Sequence, residues 1–227
     1  GETADIVPRR LPILAGETSY WETVRQVQAP NPACEVQDHY GVTETTGITL
    51  TYSAPPVGLT QGALPKGHPL AHTPRYTLDK QLQQVPIGVP GEVFIGGHGV
   101  TRGYLNQPAQ TAVSFIPNPF SQTPGQRLYR TDDLAAYQPD GTVRLLGRSD
   151  FQIKIRGYRV ELGEIENVLN QLPELDRCVV MAQTDASGDA RLVAYVAPQP
   201  AHASQVDAAW VRDALRERLP DYMVPSS

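Results

Sequence analysis

The sequence predicts a mixed α/β fold, in which a strand–helix–strand opening leads into a long β region and then a small α+β unit. Three observations predict it. Two short apolar runs flank a helical pattern near the start. The middle alternates strand-length apolar pieces with glycine and proline, which number 19 and 21 in the 227 residues. From Asp150 onward the periodicity switches between two and 3.6, as in a small sheet backed by helices.

The elements follow in order. Leu11–Glu17, LPILAGE, reads as a short buried strand ending in a glycine turn. Glu17–Gln28, ETSYWETVRQVQ, follows as a helix with Trp21, Val24 and Val27 on one side, and APNP stops it. CEVQDHYG is the second strand, so the opening is a β-α-β arrangement, and the end of such a strand is expected to face a ligand crevice. From Leu50 to about Gly147, PRYTLD, GEVFIGG, RLYRTDDLAAY and GTVRLLG read as strands, interrupted by one helix, QPAQTAVSF. A turn at Pro139-Asp140-Gly141 joins the last two strands. This is expected to be a mixed or barrel-like β region. FQIKI and YRVEL alternate about Arg156-Gly157 as a hairpin. ELGEIENVLNQLP is a helix with acidic residues in its first turn, where the helix dipole favours them. DRCVVMAQTD and ARLVAYVAP are strands about an ASGD turn, and DAAWVRDALRERLP closes with Trp210, Leu215 and Leu219 inward.

A chain of this length buries a real core without disulfides. Its cysteines, Cys34 and Cys178, stand far apart and outside metal-ligand spacing, so they read as small packed hydrophobes in a reducing compartment. A net charge of −5 argues against nucleic-acid binding. No apolar run approaches the roughly 20 residues that cross a bilayer. GETADIVPRR lacks the order of a signal peptide, so the expected location is the cytoplasm.

Taken singly, the charged and glycine-rich segments are ambiguous. HYGVTETTG sets glycine and small hydroxyls after a strand, which lets backbone approach a phosphate and a carboxylate hold Mg²⁺; it reads equally as a glycine turn with a solvated glutamate. Gly96–Asn106, GGHGVTRGYLN, matches neither a Walker loop nor a dinucleotide fingerprint and reads as a structural turn. Asp132 and Asp133 at a strand end suit a ribose diol or a solvated turn. Lys154, Arg156 and Arg159 read either as a basic stripe on the hairpin or as surface charges with no specific role. The five histidines show no helix-face metal spacing, and GxSxG is absent.

In order, these segments resemble the adenylate-forming superfamily, and within it the amino-acid-activating adenylation domains of nonribosomal peptide synthetases. Asp38–Glu44 is similar to N-x-Y-G-P-T-E, Gly91–Leu105 to G-E-[LI]-x-I-x-G-x-G-[LV]-[AT]-x-G-Y-L, and Tyr129–Leu134 to Y-[RK]-T-G-D-L. Gly147–Glu166 is similar to G-R-x-D-x-Q-[VI]-K-I-R-G-x-R-[IV]-E-L-G-E-I-E, and Leu219–Pro225 to L-P-x-Y-M-[VI]-P. The resemblance spans essentially the whole chain. It implies the end of a large α/β subdomain with a distorted β-barrel over residues 1–149, then a small mobile α+β subdomain over 150–227.

The implied activity has two steps. A carboxylate attacks the α-phosphorus of Mg·ATP to give an acyl-adenylate and pyrophosphate, and a carrier-protein phosphopantetheine thiol then displaces AMP. The resemblance implies that Tyr40 stacks on adenine, Asp38 accepts from its amino group, Thr43 contacts the α-phosphate, Glu44 holds Mg²⁺, and Asp133 grips the ribose beside Arg148. Ala15 and Gly16 line the nucleotide as backbone. Ile13, Ala15, His39, Gly47 and Ile48 line the acyl pocket, with His39 either a polar contact or a packed wall. Asp150 is the implied hinge and Gly157 the implied carrier-facing glycine, where a side chain would block the thiol.

Three departures stand out. Asp38 replaces an asparagine, Val42 a proline and Asp132 a glycine; if the backbone at Asp132 needs φ > 0, the cost is about 1 kcal/mol. The family's phosphate loop and catalytic lysine are not among these 227 residues. The chain alone is therefore expected to turn over poorly. The implied partners are an amino-acid or related carboxylic-acid substrate, a peptidyl carrier protein and neighbouring synthetase domains. A stand-alone aryl- or acyl-CoA ligase, half of a split enzyme, and a carrier-docking module are the alternatives.

Overall fold

Strand periodicity and proline placement decide the first sheet. In the computed structural model, which describes residues 11–55, 61–150, 152–155, 157–184 and 190–227, strand β1 (Ile13–Ala15) leads through helix α1 (Trp21–Gln28) to β2 (Val36–Val42). GETADIVPRR, Phe151, Arg156 and the ASGD turn lie outside the described residues. The chain divides into two compact units, Gly1–Ser149 and Asp150–Ser227.

In the first unit, β1 pairs parallel with β2, with Ala15 opposite His39. Strands β3 (Gly47–Ala54) and β4 (His68–Pro69) complete a four-stranded sheet by antiparallel pairing. The expected β-α-β opening is therefore present, but α1 starts at Trp21 rather than Glu17. Tyr20 is extended (φ −119°, ψ 151°) and bridges Ala63, while Ser19 O accepts from Leu64 N. Those backbone groups pair across space, which removes them from a helical turn. Trp21, Val24, Val36, Ala54 and Leu64 form the core under α1. Strand β3 escapes the sequence reading because its exposed and buried residues do not alternate regularly.

The second sheet contains β5 (Arg75–Leu78), β6 (Gly91–Gly96), β7 (Phe115–Pro117), β8 (Arg127–Tyr137) and β9 (Val143–Arg148), with helix α2 (Pro108–Ser114) before β7. The long β8 pairs with β6 on one edge; β7 and then β9 share the other, all antiparallel. Among the described residues the order β5-β6-β8-β7, with β9 on β8, is an open path. Tyr40 and Leu50 of the first sheet pack with Val93, Ile95, Ala135 and Val143 of the second, so one core joins the two sheets.

The second unit holds the hairpin β10 (Gln152–Ile155) and β11 (Tyr158–Glu161), helix α3 (Leu162–Asn170), the pair β12 (Leu175–Thr184) and β13 (Ala190–Pro198), and helix α4 (Ala208–Arg216). Its separate core includes Val160, Ile165, Leu169, Leu215 and Leu219, with Trp210 packed at the margin. Asp207 caps α4 by accepting from Trp210 N at 2.8 Å. No helix among the described residues is long and apolar enough to cross a membrane.

Candidate functional site

The end of β2 folds as it does because of one glycine. A Cβ at Gly41 would lie 1.6 Å from Gly47 O, so only glycine lets β2 and β3 approach this closely, at the bulge between Tyr40 and Gly41. Thr43–Thr45 then makes a 3₁₀ turn, released into β3 by left-handed Thr46 and Gly47 (φ 62° and 84°). Thr43 is exposed on this turn, whereas Glu44 is 7% exposed. The Glu44 carboxylate accepts from the Tyr104 hydroxyl at 2.7 Å, and its backbone oxygen accepts from Thr101 N at 2.9 Å. Thr46 Oγ1 donates to Gly99 O at 2.6 Å. The glycine-rich loop Gly96–Asn106 thus braces the turn from outside, consistent with its reading as structural. Burial pushes the Tyr104 phenol above its ordinary ionisation range, and the Glu44 contact adds to that.

A second group gathers on β8. Asp132 takes φ 60°, the left-handed conformation, and β9 replaces β7 as the neighbour of β8 from Asp133 onward. The conditional cost at this non-glycine position therefore applies. Asp132 lies 3.5 Å from the Arg130 guanidinium, which also holds Glu92 at 2.7 and 3.0 Å. Asp133 turns inward and is 8% exposed. Its carboxylate accepts from Arg148 at 2.7 Å and from the Tyr40 hydroxyl, and its backbone N donates to Thr131 Oγ1 at 3.1 Å. Tyr40 is 4% exposed within the core between the sheets. Burial, and then the Asp133 charge, hold its phenol well above the ordinary value of 10. Tyr40 thus meets the site through its hydroxyl, and its ring is enclosed by side chains.

Three of the residues expected to line an acyl pocket, Ile13, Ala15 and His39, share one face of the first sheet, while Gly47 and Ile48 follow one another at the bulged start of β3. In-register partners on adjacent strands point the same way. Ala15 pairs with His39, Ile13 with Gln37, and Gly41 with Ile48. Ile13 and Ile48 are 52% and 46% exposed. His39 Nε2 meets Gln37 Oε1 at 3.1 Å, while its Nδ1 is enclosed without a partner. Gly16 ends β1 in a left-handed turn (φ 88°), and Gly47 has open space where a Cβ would project.

Asp38 has a different setting. It is 0% exposed, accepts from Ser19 Oγ at 2.5 Å, and pairs with Lys66 at 2.8 Å. With no exposed surface, its carboxylate is enclosed by the chain itself, unlike an acceptor open to a base. Lys66, itself 3% exposed, carries no sequence signal beyond being a lone cation between proline and glycine. No group of three or more potential metal-ligating side chains occurs among the described residues.

In the second unit, Asp150 Oδ1 accepts from Gln152 N at 3.2 Å just before the hairpin. Gly157 is left-handed (φ 80°) with nothing within 4 Å of a notional Cβ. The hairpin turn therefore needs glycine for its backbone conformation, independent of crowding within the unit. Tyr158, next to it, stacks on Tyr222 with ring centroids 4.2 Å apart.

Two family descriptions match this chain: AMP-binding enzyme over residues 5–105, and AMP-binding enzyme C-terminal domain over residues 164–227. It is 45% identical over 214 residues to tyrocidine synthase 3 of Brevibacillus parabrevis, covering 94% of this chain and 3% of that protein. It is 50% identical over 190 residues to chondramide synthase cmdD of Chondromyces crocatus, covering 82% of this chain and 5% of that one. Among solved structures it is similar to NpsA-ThdA, an artificially fused adenylation-PCP di-domain from Klebsiella oxytoca. The TM-score there is 0.82 at 26% identity, over 100% of this chain and 41% of that one.

Proposed function

The chain belongs to the AMP-binding enzyme family, and we propose from that premise that it supplies part of an amino-acid adenylation unit. The reaction joins a carboxylate to AMP with loss of pyrophosphate, then passes the acyl group to a carrier-protein phosphopantetheine thiol. One observation carries this reading. Three separate motifs meet at a single carboxylate, Asp133, held by Arg148 at the end of β9 and by Tyr40 of β2 from 93 positions away.

A carboxylate has about four acceptor positions, so Asp133 held this way still has capacity for the two hydroxyls of a ribose. Arg148 orients it through the 2.7 Å contact. Tyr40 acts as a brace for Asp133. Thr43 offers an exposed hydroxyl toward the α-phosphate, and the backbone of Ala15 and Gly16 borders the nucleotide. Ile13, Ala15, His39, Gly47 and Ile48 form the wall against which the acid's side chain packs. Glu44 would hold Mg²⁺. One carboxylate suits an ion that takes its other ligands from phosphates and water, and that ion, when bound, neutralises phosphate charge. Asp150 serves as the pivot between the part of the large subdomain in residues 1–149 and the small subdomain in 150–227. Gly157 faces the carrier.

These residues hold and orient the nucleotide, but these 227 contain neither the family's phosphate loop nor its lysine. The isolated chain is accordingly expected to bind AMP yet show little amino-acid-dependent ATP–pyrophosphate exchange. Asp133→Ala should weaken AMP binding at least ~tenfold, since charge-assisted hydrogen bonds contribute about 1.5–3 kcal/mol. Titration calorimetry checks this. Equal AMP affinity in Asp133→Ala and the parent chain would remove the proposal's basis.

A further inference from the structure

Asp38 and Lys66 bury opposite charges more completely than any other ion pair found among the described residues, at 0% and 3% side-chain exposure. Removing both charges from water is costly, so such a pair persists only with close geometry and further hydrogen bonds. Both conditions are met. The N–O distance is 2.8 Å, Ser19 Oγ donates to the other carboxylate oxygen at 2.5 Å, and Lys66 Nζ also reaches Glu17 O at 3.4 Å.

These contacts converge on one segment. Glu17 and Ser19 belong to the link between β1 and α1, which begins directly after Ala15 and Gly16. The same link is stitched to residues 62–64 by Trp21 N to Gly62 O at 3.0 Å and Leu64 N to Ser19 O at 2.8 Å. Lys66, just before β4, also meets the second sheet, its backbone N donating to Val143 O of β9 at 2.7 Å. The ammonium therefore rides on a segment that bonds to the second sheet and leads into β4, and it holds the loop that leaves β1.

We propose that Asp38 and Lys66 form an internal ionic latch that positions the backbone from Ala15 to Ser19, with Asp38 acting as a counter-ion rather than as a contact to the adenine base. Lys66 is on this account a positioning residue, since it acts on the nucleotide only through the loop. The latch itself follows from the contacts; its consequence for the nucleotide rests on the function proposed above.

The test uses the full 227-residue chain with AMP as probe. Hydrogen exchange and AMP titration are compared for the parent, Lys66→Met, Asp38→Asn and the double variant. Lys66→Met leaves a buried carboxylate without its cation, the costly half-broken state. Amides from Glu17 to Trp21 and from Gly62 to Leu64 should then exchange at least ~tenfold faster, with those of β6, β8 and the second unit unchanged. AMP affinity should fall in parallel. The double variant removes both charges and should restore protection and affinity to within about threefold of the parent. Should Lys66→Met fail to fold, Asp38→Asn is read the same way.

Unchanged exchange in that loop, a uniform loss of protection across the first unit, or a double variant no better than either single would overturn the latch. A direct base contact would show instead as a changed preference for AMP over inosine monophosphate in Asp38→Asn with loop exchange unaltered, and that result also overturns it. Failure of the parent chain to bind AMP counts against the proposed function, and the exchange measurements still decide the latch.

Discussion

Gly41 and Tyr40 are neighbours with opposite demands, one needing the absence of a side chain and the other enclosing a whole ring. A methyl at Gly41 would overlap a backbone oxygen, and backbone cannot swing aside as a flexible side chain would. Gly41→Ala should cost more than ~3 kcal/mol, by forcing β2 and β3 apart. Thermal denaturation followed by circular dichroism checks this. For Tyr40, the fold favours the neutral phenol, because burial and the Asp133 charge both oppose a phenolate. A raised ionisation range means that native chain keeps this proton where unfolded chain loses it. Stability should thus be unaffected below pH ~10 and fall as pH rises above it. Ultraviolet titration at high pH should show a tyrosine that ionises only on unfolding, and Asp133→Asn should bring it lower. The motif residues themselves are legible in sequence. Their partners are less so: the bond from Tyr40 to Asp133 crosses 93 positions, and no local periodicity encodes it.

Among the elements, the β10–β11 hairpin separates two reasons for a glycine. Gly157 needs its left-handed backbone, but open space surrounds a notional Cβ. Gly157→Ala should cost about 1 kcal/mol and keep the fold, a drop of several degrees in melting temperature. If the proposed carrier-facing role holds, thioester formation in a complete enzyme should fall far more than adenylation. Equal losses in both steps would return Gly157 to a purely structural role. Strand β6 is readable because its apolar run lies between glycines, and β8 because its apolar residues flank a charged centre and end at a Pro-Asp-Gly turn. Helix α1 and strand β3 are less legible. Tertiary pairing with residues 62–64 draws the first residues of the expected helix into extended form, and two partly covered faces blur the alternation of β3.

Across the molecule, the two units keep separate cores. The second unit's cluster draws only on residues from Ile153 onward, with Leu215 fully buried at its centre. Leu215→Ala should destabilise that unit by ~2–5 kcal/mol through the lost side chain and the cavity it leaves. Hydrogen exchange should register the change from Gln152 to Ser227 and leave β2, β6 and β8 protected as before. Accelerated exchange throughout the chain would mean that the two units unfold as one.

Sequence alone determined the order of the elements, the mixed α/β class, and the residue types that suit a nucleotide and its metal, because periodicity, turn chemistry and ordered motifs are local properties of the chain. Tertiary structure decided what those residues touch. It enclosed the ring of Tyr40, joined its hydroxyl to Asp133, and matched Asp38 with an unforeseen lysine. The physical reason is that a buried charge or hydroxyl must find a partner, and which partner lies within 3 Å depends on how the sheets pack.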